Sequence, residues 1–344
     1  AETYKNIESG IEEGLPLIDD NIYKVPKYHF NKKASYAFAA RFYLFNVKED
    51  KSNYEKVIEY ANKVLGNNPS KVLRNYYDEL GKFTSPVNMA NAYVDAKSSA
   101  NLLICSVVSN WPVIYGLYDV SKRYGMSMML AEQETMISSG VWGEYKNIIM
   151  GSMLYGFNEK LSFYKYDLYQ EYIDKVNGLA YPRVVFVPFT TNETILCRAE
   201  AYAMKSQPDF ASATRDINLW MHSAEVVQLD DLSENEIDSY FERIPYTPVI
   251  VKDVKERTIK KYLNPPYPLL NKKQENFIHC ILQMRRMECL HDGMRWLDIK
   301  RWGIEISHNR DNKDPDVLYL DDPRRAIQLP FDVIDAGLTA NPRN

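Results

Sequence analysis

The strongest constraint on the fold is a pair of helix-forming segments between residues 33 and 65. The first, KASYAFAARFYLF, places small residues at Ala34, Ala37 and Ala40, where a second helix can approach closely. The second, YEKVIEYANKVL, repeats apolar residues at spacings of three and four, which is the pattern of an amphipathic helix. It is followed by GNNP, in which glycine and proline occupy the usual helix-stop positions. The two helices are expected to pack as an antiparallel pair.

The same arrangement recurs at residues 194–222. TILCRAEAYAMKS is again rich in alanine, QPDF interrupts it, and ASATRDINLWMHS follows as a partner helix. The length and layout of both pairs resemble a tetratricopeptide repeat, and YEKVIEYANKVLGNNP is similar to the second half of that repeat. Two unrelated helical hairpins are the alternative.

The segment between the helix pairs has a different character. NLLICSVVS (101–109) and YPRVVFVPF (181–189) are rich in β-branched residues and predict short strands. Many glycines and prolines between them predict loops. We therefore expect one mostly α-helical domain over residues 1–344, in which helix pairs pack against a loop-rich face with little β-structure and residues 101–190 form the ligand-binding segment.

Aromatic residues are the main candidates for ligand binding. The chain has 26 tyrosines, and a net charge of −4 argues against nucleic acid as a partner. Tyrosine suits polar ligands because it combines an apolar ring with a hydroxyl group. In the loop-rich segment, aromatic residues stand beside Gly, Asn and Asp, as in exposed binding loops; these candidates are Trp111, Tyr115, Tyr118, Trp142 and Tyr145. The alternative for Trp111 and Trp142 is that they anchor loop packing.

A run of charges near the C-terminus predicts a buried ion-pair ladder. Projected as one helix, residues 277–302 carry apolar side chains on every face, which is typical of a buried helix, and we expect one buried C-terminal helix over residues 275–303. Arg285, Glu288, Asp292 and Arg295 fall on one stripe of this helix. Buried charges require partners, so we expect Arg285 to pair with Glu288 and Asp292 with Arg295. We interpret this ladder as structural and not as a catalytic dyad.

Motifs for catalysis, cofactors and metals are absent from the sequence. There is no GxSxG, HExxH or glycine-rich phosphate loop. The histidines are dispersed, and the four cysteines lack metal-binding spacing. We therefore expect no enzyme activity, no cofactor and no metal site.

Four motifs, in order along the chain, resemble the SusD/RagB family of outer-membrane nutrient-binding lipoproteins. FNKKASYAFAARFYLF, NETILCRAEAYAM and LPFDVIDAGLTANPRN are similar to three of the family's conserved segments. ILQMRRMECLHDGMRWLDIKRWG is similar to its C-terminal signature. The matching signature residues are Arg285, Arg286, Glu288, Gly293, Arg295, Trp296, Asp298, Arg301, Trp302 and Gly303. Met284 and Asp292 depart from the pattern, which has an acidic residue and a glutamate at these positions.

The resemblance implies a binding protein at the cell surface. Family members capture oligosaccharides or polysaccharides, in some cases peptides, and serve as lids over a SusC-like TonB-dependent transporter of the outer membrane. They are held by a lipid anchor, and neither the anchor nor the preceding helical segment of relatives is seen in this sequence. A tetratricopeptide scaffold that binds only peptide or protein, without a sugar site, remains the alternative function.

Overall fold

Helices make up most of the regular structure in this computed structural model, which describes residues 2–109, 126–157, 160–310 and 313–343. The helices are α1 (Glu2–Gly14), α2 (Lys32–Phe45), α3 (Asn53–Leu65), α4 (Tyr76–Leu80), α5 (Pro86–Tyr93), α6 (Met128–Glu134), α7 (Thr191–Met204), α8 (Phe210–Ala224), α9 (Glu234–Arg243), α10 (Lys272–Glu288), α11 (Met294–Arg301) and α12 (Phe331–Asp335). The strands are β1 (Asn101–Val108), β2 (Leu154–Phe157), β3 (Lys160–Phe163), β4 (Leu168–Asp174), β5 (Leu179–Thr190), β6 (Ile306–Arg310) and β7 (Lys313–Leu318). The predicted mostly α-helical fold is confirmed.

The two predicted helix pairs form the centre of the molecule. Helix α2 packs on α3, α3 on α7, and α7 on α8, while α10 packs against the other side of α7. Close approach is possible because small side chains, among them Ala34, Ala37 and Ala40, are buried along α2. Asn31 caps α2 by accepting a hydrogen bond from the backbone N–H of Ala34 at 3.0 Å. Gly66 ends α3 with a φ of 65°, in the left-handed region that glycine adopts readily.

The predicted strands pair at one side of this helical layer. Strand β5 lies between β1 and β4, and both pairings are antiparallel. Strands β2 and β3 form one hairpin, and β6 and β7 form another. Residues 101–190 therefore contain more strand than the expected loop-rich segment, because β2, β3 and β4 also lie there.

The single C-terminal helix predicted over residues 275–303 is wrong, because α10 ends at Glu288 and α11 begins at Met294. Between them the backbone of His291 and Gly293 has φ values of 69° and 74°, a left-handed conformation that a continuous helix does not contain. The break changes the direction of the chain, so residues on either side of it no longer share one stripe. None of the helices among the described residues has the length and apolar character needed to cross a membrane.

Candidate functional site

Of the predicted ligand-binding aromatics, Trp111, Tyr115 and Tyr118 lie outside the described residues. Trp142 is 3% exposed, and its ring centroid lies 6.3 Å from that of Trp220 on α8. The expectation of an exposed ring is therefore wrong for Trp142. The physical reason is the neighbouring glycine: Gly140 folds over the indole so closely that a Cβ there would lie 2.4 Å from the ring. A buried indole cannot offer its face to a ligand.

Tyr145 is half-buried and held by its own loop. A Cβ on Gly151 would lie 3.1 Å from the ring of Tyr145, and Lys146 Nζ lies 5.9 Å from the ring centroid. The structure therefore does not place Trp142 and Tyr145 together on one exposed aromatic surface. The ligand-binding role of Tyr145 stays a prediction.

A cleft beside the three-stranded sheet brings an aromatic ring and several polar side chains together. It has a volume of about 810 Å³, and we name it the sheet cleft. Its lining residues include Tyr28, Asn91, Asp95, Ser106 and Val185. Tyr28 is 56% exposed, so its ring is open to solvent. The cleft thus combines an exposed aromatic ring with amide, carboxylate and hydroxyl groups, as ligand sites with few polar anchors do.

Further tyrosines continue the sheet cleft along the same sheet face. Ser106 pairs with Val185 in the sheet, and every second residue of β5 points to the same side, so Tyr181 faces the cleft side. Tyr169, opposite Arg183, lies on that side too, and its hydroxyl donates a 2.6 Å hydrogen bond to Asn91 Oδ1. The sequence signal for this surface is the tyrosine content of LYQEYID and of the neighbouring strand β5.

The predicted ladder pairs are also wrong, since each charge has found a different environment. Arg285 Nε lies 3.2 Å from Asp298 Oδ2, not against Glu288. Asp298 is shared with Arg301 at 2.8 Å, and Arg301 also forms a two-point ion pair with Glu200. This arrangement follows from the turn at residues 289–293, which folds α11 back towards α10 and α7.

Glu288 and Asp292 are held by residues distant in sequence. Glu288 accepts hydrogen bonds from the Tyr76 hydroxyl at 2.9 Å and from the Trp220 indole N–H at 3.0 Å. Asp292 lies 3.0 Å from Lys165 Nζ and accepts a 2.9 Å hydrogen bond from the Tyr166 hydroxyl. Burial raises the pKa of both carboxyl groups above their usual values. These partners give the two acids a structural environment in the core.

Arg295, the fourth residue of the predicted ladder, faces a cavity instead. The cavity has a volume of about 410 Å³ and lies between α6, residues 247–262, and the helices α10 and α11. Its charged lining residues are Glu134, Glu305, Arg257, Lys261, Arg286 and Arg295, and we name it the basic pocket. Four cations and two acids line it, and this excess of cations sets the pocket apart from the sheet cleft.

Metal chemistry has no support from the described part of the chain, where no three His, Cys, Asp or Glu side chains come together in a way that suits a metal ion. The four cysteines are all free thiols.

Comparison with known proteins gives matches at two levels. Residues 1–44, which include α1 and most of α2, match a SusD-like family model described as starch-binding and associating with the outer membrane. None of the curated proteins matches the chain. Solved structures match over nearly its whole length.

The structural matches are distant in sequence. A SusD superfamily protein from Bacteroides thetaiotaomicron is 16% identical, with a TM-score of 0.55, and the match covers 100% of this chain and 66% of that one. A second, from Bacteroides vulgatus, is 18% identical, with a TM-score of 0.53 and coverage of 99% and 65%. A SusD homolog from Bacteroides thetaiotaomicron is 12% identical, with a TM-score of 0.52 and coverage of 99% and 70%.

The chain thus spans about two thirds of the length of the first two of these structures. Their agreement with the sequence motifs confirms the resemblance: the protein has the SusD-like fold, and its first 44 residues match a SusD-like family model.

Proposed function

We propose that the protein is a cell-surface member of the SusD/RagB family that binds glycans through the sheet cleft. The observation that carries this proposal is the match of residues 1–44 to the SusD-like family model whose description is starch-binding. The fold, shared over nearly the whole chain with SusD superfamily structures, is consistent with it. The function is binding and not catalysis.

The chemistry of the sheet cleft supports a neutral sugar as ligand. A sugar ring has an apolar face that packs on an aromatic ring and hydroxyl groups that need hydrogen-bond partners. The exposed ring of Tyr28 offers the first, and Asn91, Asp95 and Ser106 offer the second. Strand β1 contributes lining residues such as Ser106 to the sheet cleft. In the sequence it precedes residues 110–125, which carry the predicted binding residues Trp111, Tyr115 and Tyr118.

Delivery of the glycan to a SusC-like TonB-dependent transporter, and a lipid-anchored position on the outer membrane, belong to the same proposal. They rest on the family resemblance alone. A peptide-binding scaffold without a sugar site is the second candidate, because the layout of the helix pairs resembles a tetratricopeptide repeat.

Two tyrosines of one strand pair provide a matched test. Tyr181 and Tyr172 are 51% and 52% exposed, but they point to opposite faces of the sheet because their cross-strand partners are adjacent residues. Titration calorimetry against a panel of neutral α- and β-glucans should show a saturable ligand. We expect Tyr28→Ala and Tyr181→Ala to weaken its binding about tenfold, the size of one lost aromatic contact.

Tyr172→Ala is the control, and it should bind like the wild type. Equal losses in Tyr181→Ala and Tyr172→Ala would place the ligand elsewhere. If no glucan binds but an unstructured peptide library does, the scaffold alternative replaces the glycan proposal.

A further inference from the structure

The geometry points to the basic pocket as a binding site for a small oxyanion, a sulfate or a carboxylate. This inference goes beyond the proposed function, because the basic pocket is separate from the sheet cleft and shares no lining residue with it.

One carboxylate serves several cations in the basic pocket. Glu134 Oε2 lies 2.6 Å from Arg286 Nη1, and Glu134 Oε1 lies 3.0 Å from Lys261 Nζ and 3.6 Å from Arg257 Nη1. Glu305, the other acid at the wall, directs its carboxylate to the backbone N–H of Leu320 at 3.0 Å. A single buried acid therefore opposes three cations within 4 Å.

Arg295 is the fourth cation, and within the described ranges it makes no hydrogen bond and no ion pair. The Nε–H of Arg257 also has no partner there, although the group is buried. Arg257 is buried and Arg295 is half-buried, and cations withdrawn from water without partners are costly, so proteins normally pair them. A guanidinium group presents several donors in a fork that matches an oxyanion. The unpaired donors of Arg295 and Arg257 fit that role.

The lowered pKa values of Lys261 and Arg295 agree with an excess of positive charge in the basic pocket. Burial lowers the pKa of Lys261 to about 7, and nearby Arg286 and Arg295 add to the effect against the attraction of Glu134. Burial and the neighbouring Arg286 lower the pKa of Arg295 to about 9. A bound anion would reverse both effects, since opposite charge favours the protonated form.

An aromatic pair at the pocket suggests what can carry the anionic group. Tyr262 lines the pocket, is 50% exposed, and stacks on Tyr246 with ring centroids 4.5 Å apart and planes 8° apart. A flat ring beside a cluster of cations suits a ligand with both an apolar face and a charge. A sugar acid has this chemistry, whereas inorganic sulfate uses only the cations.

Calorimetric titration of the full chain separates these sources. Sodium sulfate, glucuronate and neutral glucose are each added at constant ionic strength set with chloride. We expect sulfate and glucuronate to bind and glucose not to bind. Arg295→Met should lower the affinity for both anions at least tenfold, because it removes the unpaired fork, and Lys261→Met should lower it in the same direction.

Arg215→Met is the matched control, since Arg215 is exposed on α8 and contacts only Ser212 within the described residues. Near-wild-type thermal unfolding of each variant establishes that it is folded. Sulfate binding without glucuronate binding would support the oxyanion site and assign it to a free inorganic anion. Absence of binding by both anions, or equal affinity in Arg295→Met and Arg215→Met, would overturn the inference.

Discussion

The helices α10 and α11 border two clusters of buried charge whose balance differs. On one side Arg41, Arg285 and Arg301 interleave with Glu193, Glu200 and Asp298; we name these six residues the core network. On the other side lies the basic pocket, where Arg286 and Arg295 join Arg257 and Lys261 around Glu134. The core network has three cations and three anions, whereas the basic pocket is lined by four cations and two acids, Glu134 and Glu305.

The two clusters differ in how far the charge of their cations is compensated by acids of the protein. In the core network Glu193 and Asp298 each lie between two guanidinium groups. Glu200 pairs with one, that of Arg301, so the buried charges are compensated within the protein. In the basic pocket the compensation is incomplete, and the excess is positive. The signature sequence contributes residues to both clusters, so the signature itself does not distinguish them.

The largest effect is expected in the core network, from Asp298→Ala. Asp298 lies within 3.2 Å of both Arg285 and Arg301, and its removal leaves two buried cations with weaker compensation. We expect a loss of about 3–5 kcal/mol in the free energy of unfolding. Urea unfolding measures it. Asp316→Ala, at an exposed ion pair with Arg324, is the control and should cost less than about 1 kcal/mol.

A smaller loss is expected from Glu288→Ala, which tests the hydrogen-bonded acid beside the core network. The change leaves the Tyr76 hydroxyl and the Trp220 indole N–H without their acceptor, at a cost of about 2–3 kcal/mol. Glu288→Gln keeps an acceptor oxygen and should lose less in the same urea experiment. A folded Glu288→Ala protein with wild-type stability but altered ligand binding would contradict this structural role.

The sequence predicted those features that depend on local periodicity. The helix pairs follow from apolar spacing and alanine content in segments such as 33–65, and β1 follows from its β-branched run. Gly293 was the visible signal for the break between α10 and α11, but one glycine in a charged, apolar-rich segment did not outweigh the helical projection. The wrong ladder pairs followed from that assumption.

The remaining errors concern contacts between distant parts of the chain. Lys165 reaches Asp292 across 127 residues, and Trp220 reaches Glu288 across 68, so no local pattern announces either contact. Trp142 stands beside glycines as an exposed loop residue often does, but it is buried because it packs against Trp220 and because Gly140 lies close to its indole. The basic pocket was invisible for the same reason, because its cations come from three separate segments.

Arg295→Met is expected to change the free energy of unfolding in the opposite direction from a substitution of a core-network arginine. Since Arg295 has no partner among the described residues and burial lowers its pKa to about 9, its charge opposes folding. We expect the variant to be as stable as the wild type or more stable, by up to about 1 kcal/mol. Urea unfolding in chloride buffer without sulfate is the measurement. A loss comparable with that of Asp298→Ala would erase the distinction between the two clusters.

Lys261 gives the basic pocket a pH-dependent contribution to stability. Its pKa is lowered from 10.5 to about 7 by burial, with Arg286 and Arg295 opposing Glu134 and with Arg257 also close to that acid. Between these pH values the unfolded chain binds more protons at this residue than the folded chain, so its contribution to stability rises with pH. The penalty for folding the charged lysine is fully present below pH 7.

Lys261→Met lacks this penalty at every pH. Its stability relative to the wild type should therefore be greater at pH 6 than at pH 9.5, and urea unfolding of both proteins at the two pH values measures the change. Addition of sulfate should reduce the difference at pH 6, because the anion compensates the lysine charge in the wild type. A difference that is the same at both pH values would mean that Glu134 alone neutralises Lys261, and the basic pocket would then resemble the core network.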